Sequence, residues 1–248
     1  MTLPGQAHLE KDGFRLRGLE VTRIDAFSDV VFGFALTLLV VSLEIPKTFT
    51  QLHNSLGAFL PFAICFYFLM LVWYSHYRFF RRYGLTDTAT IVINAALLFV
   101  ILFFVYPLKF LFTMATLSLM GGNQRFFENH GQLVELMVLY GVGFAQVYLL
   151  VAALYWNAWR QRVRLELTPL EIALTVKSIV EMAGMGAIGL LSCVVAELLP
   201  PSEAGWAGLT FILIRVFHQT YRRATKGRID RIRALQDAAA MVESPESV

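Results

Sequence analysis

Charged residues are scarce in this sequence. Only 16% of the 248 residues are Asp, Glu, Lys or Arg, whereas 57% are hydrophobic, and the mean hydropathy is +0.60. About a quarter of the residues in a typical soluble domain are charged. The composition therefore excludes an ordinary water-soluble protein and indicates an integral membrane protein.

Cysteine is also rare, and enzyme motifs are missing. Cys65 and Cys193 lie inside apolar runs without metal-ligand spacing, so we interpret both as small buried apolar residues. The sequence contains no Gly-x-Ser-x-Gly elbow and no His-Glu-x-x-His pair. An intramembrane hydrolase built on Ser28 and His76 is therefore disfavoured, and we expect neither enzymatic activity nor a bound cofactor.

Long apolar runs predict six transmembrane helices, since about 20 helical residues cross a bilayer core of about 30 Å. The predicted spans cover residues 26–45, 56–76, 88–112, 133–159, 168–199 and 205–221. Thr168 is the expected N-cap of the fifth. The sixth is the shortest and contains Arg215 and His218, whose side chains we expect to extend toward the cytoplasmic surface. The first 20 residues lack the apolar core of a cleavable signal peptide.

The distribution of basic residues predicts the orientation of these helices. Sixteen of the 21 Lys and Arg residues lie on the side shared by the two termini, against only Lys47, Lys109 and Arg125 on the opposite side. The positive-inside rule then places both termini in the cytoplasm, in a cell inner or plasma membrane. The basic residues thus report topology rather than a nucleic-acid partner. The predicted domains are a cytoplasmic segment at 1–22, a six-helix domain at 23–221, and a cytoplasmic helix and tail at 222–248.

A polar motif opens the first predicted span. Residues 23–29 read Arg-Ile-Asp-Ala-Phe-Ser-Asp, so an arginine, a serine and an aspartate stand at the entrance of a strongly apolar helix. The next two spans contribute Trp73, His76, Asn94 and Pro107. This set, with its Arg-x-x-x-Phe-Ser-Asp pattern, resembles the signature of the transmembrane-protein-175 family of potassium channels.

The resemblance implies six helices per chain, a homotetramer, a central pore lined by the first helix, and potassium as the permeant ion. It also implies a polar network that braces the cytoplasmic ends of the first three helices. The residues assigned to this network are Arg23, Phe27, Ser28, Asp29, Trp73, His76 and Asn94. Because an ionised group is unfavourable at this depth without a partner, we expect Asp29 to be paired, with Arg23 or His76 as the candidates.

Helical periodicity selects a stripe on the first helix. Phe34, Thr37, Leu38 and Val41 follow the i, i+3, i+4, i+7 pattern and therefore share one face. Thr37 is the only hydroxyl in this stripe, and four copies would form a ring of oxygens. Alternatively, its hydroxyl bonds the carbonyl of Gly33 one turn back. The family resemblance favours the ring. Phe34 stands where the family usually has isoleucine or leucine, which predicts a bulkier hydrophobic constriction.

These patterns predict an all-α membrane protein that acts as a potassium-selective or weakly selective cation channel of the leak type. A secondary transporter is one alternative, although such proteins commonly contain internal repeats and the two halves of this chain do not look alike. A non-conducting structural membrane protein is the other.

Overall fold

In the described part of the chain, six long α-helices follow one another. The computed structural model describes residues 9–41, 47–49, 59–119, 126–129 and 131–243. The helices are α1 (Arg23–Val41), α2 (Phe59–Tyr83), α3 (Thr88–Leu119), α4 (Gly131–Arg160), α5 (Pro169–Leu198) and α6 (Leu213–Glu243), with a 3₁₀ helix at Ala204–Ile212 before α6. Helices α1 to α5 are long and apolar enough to cross a membrane. The predicted all-α class is confirmed, while the predicted end of the first span, residues 42–45, lies outside the described residues.

The sixth predicted span combines two kinds of helix. The 3₁₀ helix contains nine residues, and at about 2.0 Å per residue it is about 18 Å long. The first turns of α6, as far as Tyr221, add about 14 Å. The stretch therefore covers about 30 Å despite its small number of residues. Helix α6 then continues without a break to Glu243, so the predicted boundary at residue 222 lies inside one helix.

Small residues recur every three positions in the 3₁₀ helix. In this geometry side chains at i and i+3 are eclipsed. Ala204 and Ala207 form such a row, and both are fully buried. Their small size lets the backbone approach α4 and α5, against which the 3₁₀ helix packs.

Helices α4 and α5 are in close contact through glycines. A Cβ on Gly141 would lie 2.7 Å from the Gly189 carbonyl oxygen and 2.4 Å from the Cys193 Sγ. Only glycine allows this approach, as is common where membrane helices pack through small residues. Cys193 is half-buried in this contact and Cys65 is fully buried in the bundle.

Helix α5 begins where the sequence predicts, with a capping box. The Thr168 hydroxyl accepts the Glu171 backbone N–H, and the Glu171 carboxylate accepts the Thr168 N–H at 2.9 Å. Pro169 occupies the first helical position, where a missing N–H does no harm. These local signals fix the register of α5 and place the Glu171 side chain at its N-terminus.

Candidate functional site

Three buried polar side chains join α1, α2 and α3 in one hydrogen-bonded chain. Ser28 is fully buried, and His76 and Asn94 are each 2% exposed. The Ser28 hydroxyl donates to the Ile24 carbonyl at 2.7 Å, so its oxygen accepts the Asn94 Nδ2 at 2.9 Å. The Asn94 Oδ1 then lies 2.8 Å from the His76 Nε2, which must carry a hydrogen to bond it. The donors therefore run in one direction, from His76 through Asn94 and Ser28 to the backbone of α1.

Asp29 is paired with an indole rather than with a cation. The Trp73 Nε1–H of α2 donates to the Asp29 Oδ1 at 2.9 Å. In the described residues Arg23 is exposed and forms no ion pair, and His76 faces Asn94 instead. The expected pairing of Asp29 with Arg23 or His76 is therefore wrong.

Helix geometry explains this difference. Consecutive residues are rotated by about 100°, so Ser28 points into the bundle while Asp29 lies at the surface, within reach of the Trp73 edge. Arg23 lies about 9 Å further along the helix axis. Phe27 is also exposed, so the motif contains buried and exposed members with different surroundings.

One face of α1 is uncovered in the single chain. The helix packs against α2 and α3 through Val31, Phe32, Ala35 and Leu39, all buried. On the opposite side Phe34 is 61% exposed, Val41 is 75% exposed, Thr37 is exposed and Leu38 is half-buried. All four residues of the predicted stripe therefore have side chains that the bundle does not cover completely.

Thr37 is bonded to its own helix, but at a different carbonyl from the predicted one. Its hydroxyl donates to the Phe34 carbonyl oxygen at 2.7 Å, three residues back, and not to Gly33. A hydroxyl has one hydrogen and two acceptor lone pairs. Its oxygen therefore remains able to accept a hydrogen bond or to contact a cation on the exposed face of α1.

A second polar cluster joins the α2–α3 loop to α4. The Asp87 carboxylate accepts hydrogen bonds from Thr90 at 2.7 Å, from Gln161 at 3.1 Å and from Asn157 at 3.2 Å. Partial burial acts to raise the pKa of Asp87, but these hydrogen bonds outweigh it and hold the pKa at about 2. The carboxylate is therefore ionised at neutral pH and ties the start of α3 to the end of α4.

The N-terminal segment is the main feature that sequence reasoning missed. Arg15 and Arg17 both bond the fully buried Glu171 carboxylate, with N–O distances of 3.1 and 2.8 Å. On the same segment Glu10 and Asp12 pair with two arginines of α2. Those arginines are Arg78 and Arg82.

The residues of this segment form a mixed-charge stretch before α1. The sequence does not indicate their partners, because Arg15 and Glu171 are 156 positions apart. Within the described residues no group of three or more His, Cys, Asp or Glu side chains is arranged to hold a metal ion.

Comparisons with known proteins add independent information. The sequence model of the family described as endosomal/lysosomal potassium channel TMEM175 matches residues 23–104. A potassium channel of Marivirga tractuosa is 42% identical over 196 residues, which cover 75% of this chain and 79% of that protein. A potassium channel of Chamaesiphon minutus is 32% identical over 96 residues, or 36% of this chain and 47% of that protein.

A solved structure is also similar over most of the fold. It is the crystal structure of a variant of the potassium channel MtTMEM175 in complex with a nanobody–MBP fusion protein, with a TM-score of 0.79 and 35% sequence identity. The match covers 89% of this chain and all of that one. The segment matched by the family model contains α1, α2 and the first half of α3, which hold the Arg-x-x-x-Phe-Ser-Asp motif and the Ser28–Asn94–His76 network.

Proposed function

The chain belongs to the TMEM175 family, and on this premise we propose that it conducts potassium through a pore lined by α1 in a homotetramer. The family is one of multi-pass cation channels and not of enzymes. The proposal concerns the permeant ion, the subunit number and the residues that face the pore. The observation that supports it best is the uncovered face of α1 with a hydroxyl at its centre.

The uncovered face has a composition that suits a pore. Its side chains are apolar above and below a single hydroxyl, that of Thr37. Four copies around an axis place four hydroxyl oxygens at one level. Because each hydrogen is donated to the Phe34 carbonyl, the lone pairs are free to replace part of the hydration shell of an ion.

Phe34 is the proposed hydrophobic constriction. Its side chain is 61% exposed on the same face as Thr37, so in a tetramer four phenyl rings converge near the axis. A ring of large apolar side chains closes a pore by excluding water. Opening then requires the rings to rotate aside or the four α1 helices to separate.

The Ser28–Asn94–His76 chain is the proposed brace of this pore helix. It holds the cytoplasmic end of α1 against α2 and α3 through side chains that are nearly inaccessible to solvent. A pore helix needs such an anchor, because its other face has no partner within the described part of the same chain. Asp29 and Trp73 add a second contact between α1 and α2.

We further propose that both termini are cytoplasmic. The basic residues concentrate on the side of the termini, in agreement with the positive-inside rule. Without a folded soluble domain between the spans, the pathway is expected to be of the leak type rather than gated by a soluble ligand.

Potassium flux into proteoliposomes that contain the purified chain tests the proposal. A flux that rises linearly with the potassium gradient supports a channel, whereas a saturable counterflow indicates a transporter. Absence of flux in every variant would refute conduction and leave a structural role. Cross-linking of the purified chain, followed by mass measurement, tests the homotetramer.

Replacement of Phe34 tests the constriction. Phe34→Ala removes a phenyl ring from each subunit and is expected to raise the potassium flux, because a wider apolar ring holds water more easily. The matched control is Phe99→Ala on α3, where the phenylalanine is 70% exposed but lies on another helix. Equal flux in both variants and in the unmodified chain would show that Phe34 is not the constriction.

A further inference from the structure

A large apolar cavity lies away from the candidate pore. It is a partly open cavity between α2, α3, α4 and the 3₁₀ helix, with Ser192 of α5 and the start of α6 at its wall, and its described lining residues include none from α1. Its volume is about 810 Å³, which is in the range of small-molecule sites. The walls are largely aliphatic and aromatic, with Phe104, Phe144 and Phe211 among them.

Two hydrogen-bond donors on this cavity have no partner among the described residues. Arg215 is the only charged residue among the described residues that line it, and it forms no hydrogen bond or ion pair with any of them. The same is true of the hydroxyl of Tyr148, a residue only 6% exposed. The other hydroxyls on the wall, those of Tyr140 and Ser192, donate to backbone carbonyls. Arg215 and Tyr148 are therefore the groups left to recognise a ligand.

The position of Arg215 along the helix makes its lack of a partner significant. From Ala204, the 3₁₀ helix and the first residues of α6 extend about 22 Å to Arg215. This lies within the predicted sixth span, which is long enough for a hydrocarbon core of about 30 Å, and the Arg215 side chain is exposed in the single chain. An arginine at such a depth is unfavourable unless it reaches the interface or meets an anion.

We propose that the cavity binds an anionic lipid, whose hydrocarbon chain lies between the helices and whose phosphate or carboxylate bonds Arg215. Phosphate and carboxylate both match the planar guanidinium with paired hydrogen bonds. An uncharged lipid leaves the guanidinium without a partner, and a small soluble anion leaves the apolar walls empty. A ligand with an anionic head group and a hydrocarbon chain pairs with the guanidinium and also fills the apolar cavity. The site is independent of whether the chain conducts potassium.

Photoreactive lipids test the site on the purified full chain in phosphatidylcholine nanodiscs. Three probes with a diazirine on the acyl chain are compared: phosphatidylglycerol, palmitic acid and uncharged diacylglycerol. Cross-linked peptides are then identified by mass spectrometry. The comparison of charged and uncharged probes tests the role of charge on the unmodified chain, without any substitution.

Substitutions separate the cavity from the charge. Gly208→Leu fills the cavity, since a Cβ at Gly208 meets nothing within 4 Å. Arg215→Gln removes the charge, and Arg215→Lys retains it. Arg222→Gln is the matched control: both arginines are exposed on the same helix, but Arg222 is not among the described residues that line the cavity.

We expect at least one of the two anionic probes to label the cavity walls. Stronger labelling by phosphatidylglycerol identifies the head group as a phosphate, and stronger labelling by palmitic acid identifies it as a carboxylate. Loss of a charge-assisted hydrogen bond in Arg215→Gln should reduce this labelling about tenfold or more. Gly208→Leu should reduce it similarly, and Arg222→Gln should not. Equal labelling by diacylglycerol would overturn the proposal. Labelling confined to the outer lipid-facing surface would also overturn it, because a neighbouring subunit then fills the cavity.

Discussion

Replacement of Asn94 offers a direct test of how α1 is held in the bundle. Asn94→Leu keeps a side chain of similar size but removes both hydrogen bonds, at 2.9 Å to Ser28 and at 2.8 Å to His76. The His76 N–H then has no acceptor, and His76 is almost fully buried. The substitution therefore removes hydrogen bonds from buried polar groups without adding a large cavity.

The size of the effect follows from these contacts. A buried donor left without an acceptor costs about 1–3 kcal/mol, and an interhelical hydrogen bond in a membrane protein contributes about 0.6 kcal/mol. Asn94→Leu should therefore lower the free energy of unfolding by about 2–3 kcal/mol. When both members of a buried pair become apolar, much of the penalty disappears. His76→Phe combined with Asn94→Leu should consequently be more stable than the sum of the two single effects predicts.

The His76 environment favours this rescue. Its ring centroid lies 5.5 Å from that of Phe32 and 4.6 Å from that of Phe80, so a phenyl ring replaces the imidazole among aromatic neighbours. The assay is unfolding of the purified chain in mixed micelles with increasing sodium dodecyl sulfate, with Val92→Ala on the exposed side of α3 as the control. Additive effects of the two substitutions would refute the hydrogen-bonded chain as the source of stability.

Three further predictions concern contacts outside this network. Glu171→Gln should lower the unfolding free energy by about 2 kcal/mol or more, because two arginines lose a buried carboxylate; Glu181→Gln, which breaks one 3.8 Å ion pair, should have a smaller effect in the same detergent titration. Gly141→Ala should destabilise by about 1–3 kcal/mol through its clash with α5. In contrast, Gly33→Ala, with open space around its Cβ, should be neutral or stabilising in a thermal unfolding assay. Finally, the pKa of Asp87 is about 2 in the folded chain, against about 3.9 when unfolded. Its stabilising contribution is therefore complete above about pH 4 and is lost as the pH falls toward 2. Acid titration of Asp87→Asn should lack this loss, and an unchanged acid profile would contradict the assignment.

The motif on α1 illustrates how far sequence reasoning reaches. The Arg-x-x-x-Phe-Ser-Asp pattern identified the family, because residue types at fixed spacing are a property of the chain alone. The partner of Asp29 was predicted wrongly, because Trp73 donates to it and neither proposed cation does. The assignment of Phe34, Thr37, Leu38 and Val41 to a pore stays a prediction, which the flux measurements address.

Some features of this protein depend on residues that are neighbours in the chain, and others depend on contacts between distant helices. The sequence by itself determined the membrane class, the succession of helices and the capped start of α5, since hydropathy, periodicity and capping depend on residues that are near one another in the chain. Only the tertiary structure decided that Arg15 and Arg17 meet Glu171, and that a cavity opens beside the 3₁₀ helix at Arg215, which pairs with no described residue. Such features depend on which faces of distant helices meet. A rotation of about 100° between neighbouring residues is enough to exchange one partner for another.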